Sequence, residues 1–327
     1  MTGFLRSATL ACLALAQLDA VVLAHDNGLR QESVVAFVEG PAWRPDGVVF
    51  FTDIPNDRIM RRNPDGSTTV HRSPAGHANG LYVDGQDRLL IAEDEGRLVR
   101  ESPDGTIEVL ADEYDGRPFN SLNDVAVDTK GRIYFTDPRG KNRSAAPQRD
   151  AQGEVIDGVY RVDASGAITR LLTHELDQPN GIAVAPNDQY LYITDNDGQT
   201  EGGARKLWRF DLTETGDVVI SSKKLLFDWG QDRGPDGMTL DTEGHVYVAA
   251  GFNHPKRFKS SLVYKAGIYV ITPEGKLLNF IAVPMDTVSN VTFGGEHLNT
   301  LYITAGHSLW SIDIAATGYR PFSEYKE

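Results

Sequence analysis

The chain has 327 residues, 46 of them acidic and 32 basic, for a formal net charge of −14, and 40% are hydrophobic, enough apolar material for a full core. So acidic a chain has no electrostatic grip on a phosphate backbone or an anionic membrane surface, which excludes nucleic-acid partners. Its single cysteine, Cys12, excludes disulfides, thiolate zinc sites and iron–sulfur clusters.

Arg6 precedes an apolar run from Ala8 to Leu18 that Asp19 interrupts and that resumes as Ala20-Val-Val-Leu-Ala24 before His25-Asp-Asn27. A basic start, an apolar centre and a small-residue exit at Val22-Leu23-Ala24 predict a signal peptide over 1–24, cut near Ala24. The broken run is too short to span a bilayer. The expectation is a secreted or periplasmic protein whose mature chain, 25–327, is one domain without a membrane span.

From there one pattern recurs: a polar lead residue, an alternating strand, a turn, and a second strand ending in Thr-Asp or a relative. Clear copies run Asn79-Gly-Leu-Tyr-Val to Glu93, Asn123-Asp-Val-Ala-Val to Asp137, Asn180-Gly-Ile-Ala-Val to Asp195 and Asp236-Gly-Met-Thr-Leu to Ala250. Weaker ones begin at Glu39 and Asn290. The spacings of 40, 44, 57, 56 and 54 residues each suffice for a four-stranded antiparallel sheet. Third strands are expected at Arg58–Arg62, Arg97–Glu101, Gly158–Val162, Lys206–Phe210, Gly267–Ile271 and Ser308–Ile312, and turns such as Pro64-Asp-Gly and Pro103-Asp-Gly lead to outer strands. The sixth copy lacks an outer strand, whereas Ser33–Val38 is an outer-type strand with no blade of its own. The fold class is therefore all-β, a six-bladed β-propeller closed by its N-terminal strand, which hides two sheet edges at once.

The innermost strands of a propeller converge on one channel, so the six lead residues, Glu39, Asn79, Asn123, Asn180, Asp236 and Asn290, point at one place. All offer oxygen and none is His or Cys. Such a set suits a hard divalent cation, and its irregularity suits Ca²⁺ better than Mg²⁺. Asn-Gly and Asp-Gly are also common turn dipeptides, so a purely backbone-satisfying role is the competing reading for any single copy.

Second-strand ends add the carboxylates Asp53, Glu93, Asp137 and Asp195. The variable loops 138–157, 196–205 and 252–266 carry Arg139, Lys141, Arg143, His254, Lys256 and Arg257, cations able to meet a polar or anionic substrate. Asp195-Asn-Asp197-Gly is no EF-hand loop, since Lys206 stands where its Glu belongs. His77 and His307 are candidate bases or substrate contacts. No Gly-x-Ser-x-Gly elbow supports a serine hydrolase.

Glu39-Gly-Pro, Asn123-Asp, Tyr134-Phe-Thr-Asp-Pro138, Pro179-Asn-Gly-Ile and Pro235-Asp-Gly-Met, in that order, resemble the gluconolactonase, regucalcin (senescence marker protein) and luciferin-regenerating-enzyme family, over essentially the whole mature chain. The resemblance implies a six-bladed propeller and a divalent metal, usually Ca²⁺ with Zn²⁺ or Mg²⁺ as alternatives, on Glu39, Asn180 and Asp236. It gives Asp236 the further role of acid/base and makes Asn123 a contact to substrate or metal-bound water. Asn79 and Arg139 complete the candidate substrate contacts. Regucalcin-type members place an Arg two residues before the Asn of Asn-Asp. This chain has Ser121 there, and Asn120-Ser-Leu-Asn123 is more similar to the bacterial gluconolactonase branch. The expected activity is hydrolysis of a sugar lactone to its acid. The alternative is a calcium-braced propeller that binds a glycan or a protein without turnover.

Overall fold

β-branched and aromatic residues in alternation favour pleated strands with buried faces. In the computed structural model, which describes residues 28–140, 148–256 and 259–321, the repeats form six four-stranded antiparallel sheets. Five blades run inner to outer in chain order over 38–72, 78–111, 125–172, 179–228 and 238–282. The sixth takes Val288–Gly294, Thr300–Ala305 and Ser308–Asp313 from the C-terminal end and Arg30–Val34 as its outermost strand. Ring closure is thus as expected, but the closing strand lies earlier than Ser33–Val38. The reason is that Val38 already opens the inner strand Val38–Trp43 of the first blade, leaving 35–37 to cross between blades. The leader 1–24 with Cys12, and Lys141, Arg143 and Arg257, lie outside the described residues.

Four of the expected third strands match residue for residue. The others are Arg205–Leu212 and Ser308–Asp313, longer by one to three residues than read. Turn chemistry explains the sharp ends: Gly66 of Pro64-Asp-Gly sits at φ 86°, a left-handed conformation that costs glycine nothing.

The core is a set of wedges between neighbouring blades. Phe50 and Ile59 pack on Leu81 and Ile91, for example, and Val38, Trp43 and Phe51 meet Tyr302 and Leu309 where the last blade joins the first. At the end of the channel opposite the long loops, the C-terminal segment ties five blades together. Gly318 N donates to Leu298 O (2.7 Å) and Tyr319 N to Leu240 O (2.9 Å). The Tyr319 hydroxyl reaches Pro186 O (3.3 Å), while Arg320 donates to Trp43 O (3.3 Å) and Val83 O (2.8 Å). No helix among the described residues is long and apolar enough to cross a membrane.

Candidate active site on the propeller axis

The Thr of the Thr-Asp signature has a definite task. The Oγ1 atoms of Thr52, Thr136 and Thr194 donate to the carbonyls of Asn79, Asn180 and Asp236, the lead residues of the following blades, at 3.1, 2.6 and 2.6 Å. Ser289 Oγ continues the ring to Val38 O at 2.8 Å. Three blades thus fix the backbone of the next lead residue through this Thr, leaving the lead side chains free to face the axis.

The aspartate after each Thr is also structural. Asp53 accepts from Phe37 N and pairs with Arg58 (2.7 Å). Asp137 accepts from Asn120 N and Ser121 N, both at 2.8 Å. Asp195 accepts from Gln178 N (2.8 Å) and Trp208 Nε1 (3.2 Å), and Glu93 binds Arg72 and Arg97. These carboxylates staple the incoming loops rather than forming a second ligand ring.

Register corrects the sixth lead residue. The inner strands of blades one, two, four and six carry a bulge that sets two residues against one. Aligning Val291 with Val125, Ile182 and Met238 makes Ser289, not Asn290, the counterpart of Glu39. Asn290 belongs to a second tier, where the other blades have Gly40, Gly80, Asp124, Gly181 and Gly237. Those glycines are required. A Cβ on Gly80 would lie 2.4 Å from Asp124 Oδ1, and one on Gly237 would lie 2.0 Å from Asn290 Cγ. The space they leave is filled by Asp124 and Asn290, both 6% exposed. Asp124 had no part in the sequence-derived site. The signal for it is the pair of polar residues at positions that are glycine in the other four repeats.

Three carboxylates, Glu39, Asp124 and Asp236, and two amides, Asn180 and Asn290, meet around this point. Burial and the charge of Asp236 push the Glu39 carboxyl well above its ordinary range, Asp124 adding to the effect, while Gly40 N and the Asn290 side chain stabilise the anion. Burial pushes Asp124 up to about 7, against hydrogen bonds from Val125, Ile182 and Asn290. Asp236 is also raised by burial, opposed by the charges of Arg233 and Lys259 and by a hydrogen bond from Asn180. The buried Arg233 guanidinium pairs directly with Asp236 Oδ2 and is anchored on Val288 O at 2.7 Å.

Above the axis opens a cavity of about 920 Å³ whose lining includes His77, Asn79, Ser121, Asn123 and Arg139. Asn79 and Asn123 thus reach the space expected of substrate contacts. Arg139 stands at the rim with Nε 2.7 Å from Asp157 Oδ2, so its charge is already matched. The Ser121 hydroxyl donates to Asp94 Oδ1. His254 pairs with Asp286 (3.0 Å) on the exterior, and His307 is exposed.

The SMP-30/Gluconolactonase/LRE-like region profile matches residues 37–307, a span that begins two residues before Glu39 and takes in every lead residue. The chain belongs to this family. Among relatives, it is 28% identical to a gluconolactonase of Zymomonas mobilis over 85% of this chain and 78% of that one. It is 26% identical to a pentonolactonase of Haloferax volcanii over 87% and 93% of the two chains. A solved gluconolactonase from Xanthomonas campestris superposes with a TM-score of 0.75 at 28% identity, covering 90% of this chain and 91% of that one.

The divalent cation that the family resemblance implies can be tested against the residues present. Among the described residues no three His, Cys, Asp or Glu form a metal-holding group, so an ion here depends on amide as well as carboxylate oxygen. Asn180, hydrogen-bonded to Asp236, supplies that amide. Glu39 and Asp236 repel each other in a desolvated setting, and a dication between them would relieve that cost. The donor set fits a hard cation.

Proposed function

We propose that this family member is a sugar lactonase, hydrolysing a lactone to the open-chain hydroxy acid. The observation that carries the reading is the meeting of Glu39, Asn180 and Asp236 on the propeller axis, together with a cavity of about 920 Å³ lined by the neighbouring lead residues Asn79 and Asn123. The gluconolactonase and pentonolactonase activities of its relatives support it.

Glu39, Asn180 and Asp236 would hold the cation, with Ca²⁺ favoured over Zn²⁺ or Mg²⁺ by the irregular oxygen set. Such an ion, when bound, supplies Lewis-acid polarisation of the lactone carbonyl. Asn79 and Asn123 present amides that orient the ring and its hydroxyls at the cavity floor. Asp236 takes the proton of the attacking water and delivers it to the ring oxygen as the acyl–oxygen bond breaks. Arg233 holds Oδ2 of that carboxylate, leaving Oδ1 to face the reaction. The lactone is an activated ester, so a weakly basic carboxylate suffices for the first proton transfer.

Acid release in a pH-stat against glucono-1,5-lactone and a panel of pentonolactones tests this. Wild-type turnover, with Asp236→Asn lowering kcat by about 10²–10⁴ at an unchanged circular dichroism spectrum, is the expected result. Full activity of Asp236→Asn would remove it from the mechanism, and no acid release from any lactone would leave the non-catalytic binding propeller.

We further propose that the protein is exported, its leader 1–24 being cleaved after Ala24. N-terminal sequencing of the mature protein should begin at His25, and an intact Met1 start on protein recovered after export would contradict cleavage.

A further inference from the structure

His77 lies two residues before the second blade's lead Asn79, and its backbone is unusual. It sits at φ 50°, the left-handed region that side-chain-bearing residues seldom occupy. Such a conformation persists only where neighbours over-determine it, and here they do. One oxygen of Asp57 accepts from both His77 N (2.6 Å) and Ala75 N (3.0 Å). The His77 carbonyl in turn accepts from Asp94 N at 3.2 Å.

The ring is held as firmly as the backbone. Its Nδ1 is 3.2 Å from the carbonyl of Ile54. A carbonyl oxygen can only accept, so Nδ1 carries the proton and the lone pair of the neutral imidazole is on Nε2. Among the described residues Nε2 has no hydrogen-bond partner, and His77 lines the cavity beside Asn79 and Asn123. A strained backbone, a clamped loop and a ring locked in one tautomer thus combine to present one acceptor nitrogen at the substrate space.

We propose that His77 is a specificity-determining residue, whose Nε2 accepts a hydrogen bond from a hydroxyl of the lactone and so selects polyhydroxylated lactones over bare ones. The inference rests on the lactonase reading above. Its complement is a donor, and the groups a sugar lactone offers on its ring and tail are hydroxyls. Asn79 and Asn123 carry both donors and acceptors and discriminate less sharply.

Isosteric variants separate the two ring nitrogens. Asn at this position retains a donor in the place of Nδ1 and tolerates the left-handed backbone. It has nothing in the place of Nε2. Gln carries an acceptor out to the Nε2 position. The assay compares glucono-1,5-lactone with δ-valerolactone, the same six-membered ring without hydroxyls. For His77→Asn we expect at least a tenfold loss of kcat/KM on gluconolactone, carried mainly by KM, and a change within twofold on δ-valerolactone. His77→Gln should recover part of the loss. Equal losses on both lactones would overturn the proposal in favour of a catalytic or purely structural role, and so would an unchanged KM for gluconolactone in His77→Asn. If the wild type hydrolyses gluconolactone but shows no preference for it over δ-valerolactone, hydroxyl selection fails while the lactonase reading stands. If it hydrolyses neither, both fall.

Discussion

Replacing Asp124 by Asn should stabilise the metal-free protein at alkaline pH. Asp124 is 6% exposed, and burial raises its carboxyl from 3.8 to about 7. Between those values the unfolded chain has released the proton that the folded chain still holds. The associated stability is therefore complete below pH 3.8 and is lost progressively as pH rises to about 7. A shift of about three units corresponds to at most about 4 kcal/mol. Asn keeps an oxygen for Val125 N, which Asp124 Oδ1 now accepts at 2.9 Å, and cannot ionise. Thermal melts in chelator should put Asp124→Asn several degrees above the wild type at pH 8, with the gap closing toward pH 4. Glu39 and Asp236 are raised too, so some slope survives in both proteins and the difference between them isolates Asp124. Equal melting points at pH 8, or a variant that loses stability there, would refute the reasoning.

Other perturbations follow from the same contacts. Gly237→Ala would drive Asn290 off the axis, since the new Cβ falls 2.0 Å from its Cγ. A loss of about 1–3 kcal/mol in denaturant melts should accompany a large drop in lactone turnover. Arg320→Ala removes donors to Trp43 O and Val83 O and a guanidinium stacked over the Trp43 ring, 5.4 Å from its centroid. It should cost about 1–3 kcal/mol in the same melts and leave KM for lactone unchanged, because the site is at the other end of the channel. Thr194→Val deletes the 2.6 Å bond to Asp236 O and should weaken cation affinity, measured calorimetrically, more than it lowers the melting temperature.

Much of the blade architecture was legible because each strand carries its own evidence. Alternation marks the inner and second strands, Thr-Asp marks where the second ends, and Pro-Asp-Gly marks the turn after the third. Arg58–Arg62 and Gly158–Val162 could be bounded to the residue since they lie between such signals. Glu39, Asn180 and Asp236 were readable for the same reason, being the lead positions of strong or family-matched repeats. What escaped depends on register. Asn123-Asp124 and Ser289-Asn290 each offer two polar side chains in succession, and only pairing tells which tier each belongs to. The stapling role of the second-strand carboxylates was not legible because donors such as Asn120 N and Gln178 N are backbone groups that leave no mark in composition. The C-terminal tie through Gly318, Tyr319 and Arg320 is held by carbonyls from five blades, a tertiary arrangement with no local periodicity.

The central claim is that lactone hydrolysis depends on an ion shared by Glu39, Asn180 and Asp236. Stripping the protein exhaustively with chelator and titrating Ca²⁺ back, with calorimetric occupancy and acid release from gluconolactone followed on the same samples, addresses it directly. Activity should vanish on stripping and return in proportion to filling of one site, and Glu39→Gln should bind and turn over poorly together. An undiminished rate in the stripped protein, or a site that fills without any change in rate, would contradict the account.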